Sequence, residues 1–235
     1  MHRFLARNIA ANLFAALLII AVSPAQQPDA AAVIRDLDAA NQSRFDNVLG
    51  FTDVEHYTVY RGNDQTTPAA EMTVKMTYKK GAGKDYAILS QSGSSLIQKF
   101  GLRPLLENEK SINNPAKVAQ SWFTSTNYEM RLKPGIAQTI DGRQCLAIAI
   151  TPRRKAPNMI DGTLWVDAVN HTLAQVEGVA SKSPSVFAGT TKMMRRYTIM
   201  QGYAMAIHAR AESSSALFGR TVILIDYSDY HFQLR

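Results

Sequence analysis

The feature that most constrains this chain is a two-residue alternation of apolar and polar side chains, broken by short turns and repeated over most of its length. Met72, Val74, Met76 and Tyr78 fall on one side of the alternation, and Thr73, Lys75, Thr77 and Lys79 on the other. Successive strand side chains point to opposite faces, so the pattern predicts a half-buried β-strand. Gly81-Ala82-Gly83 supplies the turn, and Tyr86 and Ile88 begin the return strand. Further strands are predicted at Tyr128–Lys133, Gln144–Thr151, Thr163–Asp167, Leu173–Ala180, Met193–Met200, Tyr203–Glu212 and Arg220–Tyr227. Turns are expected at Asp141-Gly142, Asp161-Gly162, Asn170-His171, Gln201-Gly202 and Gly219. Connections this short suit an antiparallel meander, because parallel strands need long crossovers.

Two segments depart from the alternation. In residues 28–49, Val33, Leu37, Ala40, Phe45 and Val48 form a helical stripe, with Pro28 placed for the first turn and Gly50 for the end. From Ser94 to Thr124 apolar residues are irregularly spaced, and Pro104 and Pro115 punctuate them. Asn114-Pro115 has the form of an N-cap followed by an N1 proline, so the segment is expected to hold two short inserted helices. An antiparallel sheet with one polar face must cover the other. The predicted fold class is therefore α+β: a curved antiparallel sheet with an N-terminal helix and inserted short helices over its concave apolar face.

The expected lining of that face is Met72, Val74, Met76, Tyr78, Tyr86, Ile88, Met130, Leu132, Leu146, Ile148, Leu164 and Val166. The expected lid is Leu102, Leu105, Leu106, Val118, Trp122 and Phe123. Such a face is either a plain core or the wall of an apolar ligand cavity. Met72, Met76, Met130, Met193 and Met205 all lie in strands, and flexible thioethers suit an adaptable pocket.

At the N-terminus, Arg3 and Arg7 precede a stretch from Ile9 to Val22 that is apolar apart from Asn12. Ser23-Pro24-Ala25 then places small residues as a cleavage site does. This predicts a secretory signal peptide over residues 1–25, cut before Gln26, leaving residues 26–235 as a single domain. As a helix the apolar stretch would span about 21 Å, short of a bilayer core of about 30 Å. The expected location is the periplasm, and with no cysteine after the cleavage region no lipid anchor is expected there. Loss of two arginines lowers the formal net charge from +7 to +5. The remaining clusters, Lys79-Lys80, Arg153-Arg154-Lys155 and Arg195-Arg196, lack interleaved stacking aromatics, so nucleic acid is not an expected partner. With 46% apolar and 19% charged residues the chain is not disordered, and its single cysteine, Cys145, rules out an internal disulfide.

Catalytic motifs are absent from the sequence. A G-x-S-x-G pattern begins at Gly93 and Ser95 but ends on Ile97, and Gly81-Ala82-Gly83-Lys84 lacks the first glycine and the hydroxyl residue of a phosphate loop. His56, His171 and His208 have no carboxylate at ligand-like spacing beyond Glu55. Asp229 and His231 share a strand parity but make a weak metal candidate. Cys145 alternates with apolar neighbours as a core residue does. No enzyme activity, metal or cofactor is expected.

Several short motifs follow one another in a familiar order: Gly162-Thr163-Leu164-Trp165-Val166-Asp167, Val176-Glu177-Gly178, Lys182-Ser183-Pro184-Ser185-Val186-Phe187, Arg195-Arg196-Tyr197, Phe218-Gly219-Arg220-Thr221 and Ile225-Asp226-Tyr227-Ser228-Asp229-Tyr230. Asn127-Tyr128-Glu129-Met130 and Asp141-Gly142 extend them upstream. In these motifs residues 45–230 resemble the bacterial outer-membrane lipoprotein-sorting-protein-like family, related to the periplasmic carrier LolA. The sequence departs from the family where Tyr203 is followed by Ala204-Met205-Ala206 instead of Leu-Pro. The resemblance implies an incomplete antiparallel barrel with a helix-lidded apolar interior that holds lipoprotein acyl chains or another amphipathic lipid. It implies a soluble carrier working with inner- or outer-membrane transport components. The alternative is an envelope-stress sensor that binds lipid or lipoprotein and then a protein partner.

Overall fold

The computed structural model describes residues 28–115, 117–156, 158–182, 190–215 and 219–235. The expected signal segment, and the expected motif residues Ser183–Phe187 and Phe218, lie outside them. Helix α1 spans Ala30–Asn47, and its first turn is capped by Asp29, whose carboxylate accepts from the Ala31 N–H at 3.0 Å. Pro28 thus precedes the cap instead of occupying the first turn. The helix ends without a glycine: Asn47 passes directly into strand β1 (Val48–Arg61), so Gly50 is a strand residue. A Cβ at Gly50 would sit 2.9 Å from the Tyr78 carbonyl, so the residue keeps two strands close instead of ending a helix.

Nine strands follow: β2 (Ala70–Lys79), β3 (Gly83–Gly93), β4 (Tyr128–Ile140), β5 (Arg143–Pro152), β6 (Ile160–Asp167), β7 (Leu173–Ala180), β8 (Thr191–Met200), β9 (Tyr203–Ser215) and β10 (Gly219–Leu234). All ten belong to one open sheet of order β3-β2-β1-β10-β9-β8-β7-β6-β5-β4, and the register of every neighbouring pair is antiparallel. First and last strands pair inside the sheet, third and fourth from the β3 edge, while β3 and β4 form its edges. The β4–β5 and β8–β9 hairpins turn on Asp141-Gly142 and Gln201-Gly202, whose four φ angles (47°, 78°, 52° and 84°) are all positive, as a two-residue type I′ turn requires.

The expected turn at Asp161-Gly162 is overturned, since both residues lie within β6. Gly162 faces Gly178 across the β6–β7 pair, and a Cβ at Gly162 would lie 2.6 Å from the Gly178 Cα. The glycines let two backbones approach.

The insert joins one sheet edge to the other. It begins as one helical run, made of α2 (Ser95–Ile97), a π-helical turn (Gln98–Leu102) and α3 (Arg103–Ile112). Ser94 caps it, and Pro104 follows the π turn near the start of α3. The second expected helix is smaller than its cap-like sequence suggests: the chain makes only a 3₁₀ turn, Val118–Ser121, beginning after Lys117 and not at Pro115.

Helices cover one face of the sheet, the inner face, at two places. Val33 and Leu37 of α1 pack against Tyr128, Ile148, Ile150, Leu164, Val166 and Val176, above β4–β7. Leu102 and Leu106 pack against Tyr57, Val59, Met72 and Val74, above β1 and β2. On the outer face a small cluster of Cys145, Ala147, Trp165 and Ala174 is buried between β5, β6 and β7. No helix among the described residues is long and apolar enough to cross a membrane.

Candidate functional site

Directly paired strand residues share a face, so the register maps the inner surface. One row runs Met72, Tyr57, Ile225, Ala209, Arg195, Val176, Leu164, Ile148 and Leu132. A parallel row includes Met193, Ala211 and Ile223. Between the two helical covers, therefore, β9 contributes only methyl side chains, Ala209 and Ala211, flanked by larger neighbours on β8 and β10. Met193 and Tyr197 are partly buried at the margin of the α1 cluster, and Ile223 and Ile225 at the margin of the α3 cluster. The result is a strip of small side chains, Ala209 buried and Ala211 partly exposed, set between larger neighbours that are apolar except for Arg195; this strip is the candidate trough of the inner face.

The expected lining residues divide into three groups. Met72, Val74 and Met76 are fully buried in packed clusters, as are Ile148, Leu164 and Val166. Tyr78, Tyr86, Met130, Leu132 and Leu146 are partly buried at the margins of those clusters. Ile88, on edge strand β3, is 37% exposed. Of the expected lid, Leu102, Leu105 and Leu106 cover β1 and β2. Phe123 packs beside Tyr128, with ring centroids 5.5 Å apart, and Trp122 stacks on Phe45 of α1 at 4.5 Å. Val118, with Phe45, Tyr78 and Lys80, lines a cavity of about 180 Å³ between the end of α1 and the β2–β3 hairpin.

The same inner face carries a polar cluster. On β1 the sequence Phe51-x-Asp53-x-Glu55-x-Tyr57 sets two carboxylates among aromatic residues, and Asp53 and Glu55 are only 2% and 1% exposed. The Tyr57 hydroxyl donates to the Glu55 carboxylate, while the Tyr230 hydroxyl, beside Asp53, donates to the Ala206 carbonyl at 2.8 Å. Asp53 Oδ1, Glu55 Oε1 and the Tyr86 hydroxyl are buried without a hydrogen-bond partner among the described residues. Burial, reinforced by the neighbouring Glu55 charge, pushes the Asp53 carboxyl up to about 7, and Lys84 only partly opposes this. Burial also raises Glu55, again against Lys84. Lys84 is itself paired with Glu109 of α3 at 3.7 Å.

Two arginines border the cluster. Arg195 of β8 is held firmly protonated by Tyr227, with Glu55 and Glu109 contributing. Arg44 of α1 lies among Tyr197, Tyr230 and Tyr78. Burial lowers its pKa, the charge of Arg195 adds to the effect, and its Nε has no partner among the described residues.

The histidines serve elsewhere. His171 Nδ1 meets Asp36 at 2.9 Å and ties the β6–β7 turn to α1, His208 meets Asp226 at 2.7 Å, and His56 lies beside Thr73 and Glu71. Asp229 sits at φ 53°, beside the irregular register of β10, and His231 pairs with Thr52. Among the described residues no three His, Cys, Asp or Glu side chains group as metal ligands.

Asp53, Glu55, Arg44, Tyr227 and Tyr230 were not expected from sequence as site residues. The alternation Phe51, Asp53, Glu55, Tyr57, Val59 is the one signal that marks β1, but two carboxylates on its apolar side disguise which face is buried.

No family model matches this chain, and no curated protein sequence matches it. Solved structures do. A LolA superfamily protein from Nitrosomonas europaea superposes with a TM-score of 0.47 at 14% identity, covering 88% of this chain and 94% of that one. A putative outer membrane lipoprotein-sorting protein domain from Vibrio parahaemolyticus gives 0.47 at 13% identity, covering 87% and 92%. A DUF1329 family protein from Desulfovibrio piger gives 0.45 at 14%, covering 87% and 93%.

Proposed function

We propose that this protein is a periplasmic binding protein that carries an amphiphile, its acyl chain laid in the inner-face trough, towards the outer membrane. Lipoprotein acyl chains are the first candidates for cargo. The observation that carries this reading is the alanine floor at Ala209 and Ala211 between Met193 on one side and Ile223 and Ile225 on the other. A sheet face evolved only to be covered by its own helices would fill that strip with large side chains, as β4–β7 do beneath α1. Each methylene withdrawn from water is worth about 0.8 kcal/mol, so an acyl chain needs such shelter to cross an aqueous compartment. Release is served by a trough whose wall is built in part from methionine.

Filling the trough tests this reading. Ala211 is partly exposed, so Ala211→Trp has room to project its ring over β9 without moving the backbone. The variant should melt within a few degrees of the parent and bind a fluorescent fatty-acid probe at least about tenfold more weakly. Lys75→Gln, an exposed change on the outer face, should bind as the parent does. Undiminished probe binding by a folded Ala211→Trp protein would remove the trough from the account.

A further inference from the structure

Buried acids on an apolar sheet face call for a partner, because an unsatisfied buried carboxylate oxygen is destabilising. Here the deficit is double. At one end of the cluster, Asp53 Oδ1 and Glu55 Oε1 are buried acceptors without a donor, and the Tyr86 hydroxyl beside them is equally unpartnered. At the other end, Arg44 Nε is a buried donor without an acceptor, in the field of the like-charged Arg195. Tyr230 lies between the ends: its hydroxyl, beside Asp53, donates to the Ala206 carbonyl at 2.8 Å, and its ring lies close enough to Arg44 to influence that charge. Lys84 is engaged with Glu109, and Arg195, whose charge reaches Glu55, forms no ion pair with it among the described residues. Asp53 accordingly retains its proton to about pH 7. Arg44 Nε has no acceptor among the described residues.

We propose that this cluster recognises the head of a zwitterionic amphiphile, with a primary ammonium held by Asp53 and Glu55 and the anionic group of the same head held by Arg44 and Arg195. The proposal rests on the carrier reading and deepens it, because Ala209 pairs directly with Arg195 and Ala211 lies on the next row of the inner face, where the tail of such a ligand would run. An ammonium donates several hydrogen bonds and is fully charged, so it meets both unpartnered carboxylate oxygens at once and drives Asp53 to its ionised form. A phosphate or carboxylate next to that ammonium supplies what the arginine side lacks. A purely anionic head leaves the acids unmet, and a hydroxyl-only head leaves both ends weakly served.

The test compares lauroyl amphiphiles that differ only in their heads: lysophosphatidylethanolamine, lysophosphatidylglycerol, lauric acid and monolaurin. Each is used to displace a fluorescent fatty-acid probe from the full chain at pH 7.5. Lysophosphatidylethanolamine should displace the probe at a concentration at least about tenfold lower than any of the others. In Asp53→Asn that advantage over lysophosphatidylglycerol should vanish while monolaurin is unaffected, and in Arg44→Gln both phospholipids should weaken together. Glu55→Gln, which keeps an acceptor for the Tyr57 hydroxyl, provides a second acid-end variant should Asp53→Asn fold poorly. If monolaurin and lysophosphatidylethanolamine displace the probe equally, the head-group proposal is wrong and the carrier reading stands. If no amphiphile displaces it and the probe itself does not bind, the carrier reading fails first. A preference for lauric acid that survives both acid-end variants would assign the cluster to anions alone and overturn the proposal.

Discussion

At Asp53 the protein keeps a carboxyl where water does not reach. Burial raises its pKa from 3.8 to about 7, so the folded chain holds a proton that the unfolded chain has already released across that interval. Folding is then favoured most below about pH 4, weakens as pH climbs towards 7, and is level above that. The upper bound for the effect is about 4 kcal/mol. Glu55, also raised by burial, acts in the same direction. Asp53→Asn keeps the shape of the carboxyl and removes the ionisation, so chemical denaturation should show it to be more stable than the parent at pH 8 and nearly equal at pH 4. A loss of stability at pH 8 would mean that the ionised carboxylate is satisfied in the fold. At Gly162 the constraint is steric, because a methyl would lie 2.0 Å from the Glu177 carbonyl oxygen. Gly162→Ala should cost about 3 kcal/mol in urea titrations by forcing β6 and β7 apart. Gly142→Ala, at φ 78° with open space around it, should cost about 1 kcal/mol of backbone strain.

Elements differ in how openly the sequence displays them. Strand β7 runs over the expected Leu173–Ala180 interval, with turn residues ahead of it, although its first four residues are all buried and its register against β6 shifts there. Strand β4 continues past Lys133 to Ile140, since Pro134-Gly135 lies in an irregular register against β5 and does not end the strand. Strand β10 extends past Tyr227 to Leu234, resuming beyond the register shift near Asp229 with Tyr230 and Phe232 stacked on one another. Strand β1 was hidden altogether, because it follows α1 with no punctuation. Parity alone identified which face of β2 is buried, as Met72, Val74 and Met76 show, but these side chains sit in packed clusters and not in the strip over β9. The polar cluster was not legible, because placing Glu55 beside Tyr227 depends on pairing two strands far apart in the chain. The α3 cover makes its own prediction. Leu102 is 1% exposed and Phe100, two residues earlier, 68%. Leu102→Ala should cost about 2–5 kcal/mol, and Phe100→Ser should leave the denaturation midpoint nearly unchanged.

Over the whole molecule, the first and last strands of one open sheet pair with each other inside it, and the single insert that joins its two edges also helps to cover its inner face. Covering from two sides, by α1 over β4–β7 and by α3 over β1 and β2, leaves the strip over β9 as the place where the inner face is lined by the smallest side chains. An amphiphile in that strip would complete the packing that the chain itself leaves unfinished. Native mass spectrometry of the protein recovered from cells without detergent tests this most directly, with the Ala211→Trp variant prepared in parallel. The account predicts a parent species heavier than the polypeptide by one acyl-bearing amphiphile, identifiable after extraction, and a variant at the bare polypeptide mass. A parent that is recovered bare and takes up no lipid when mixed with detergent-free vesicles would contradict it.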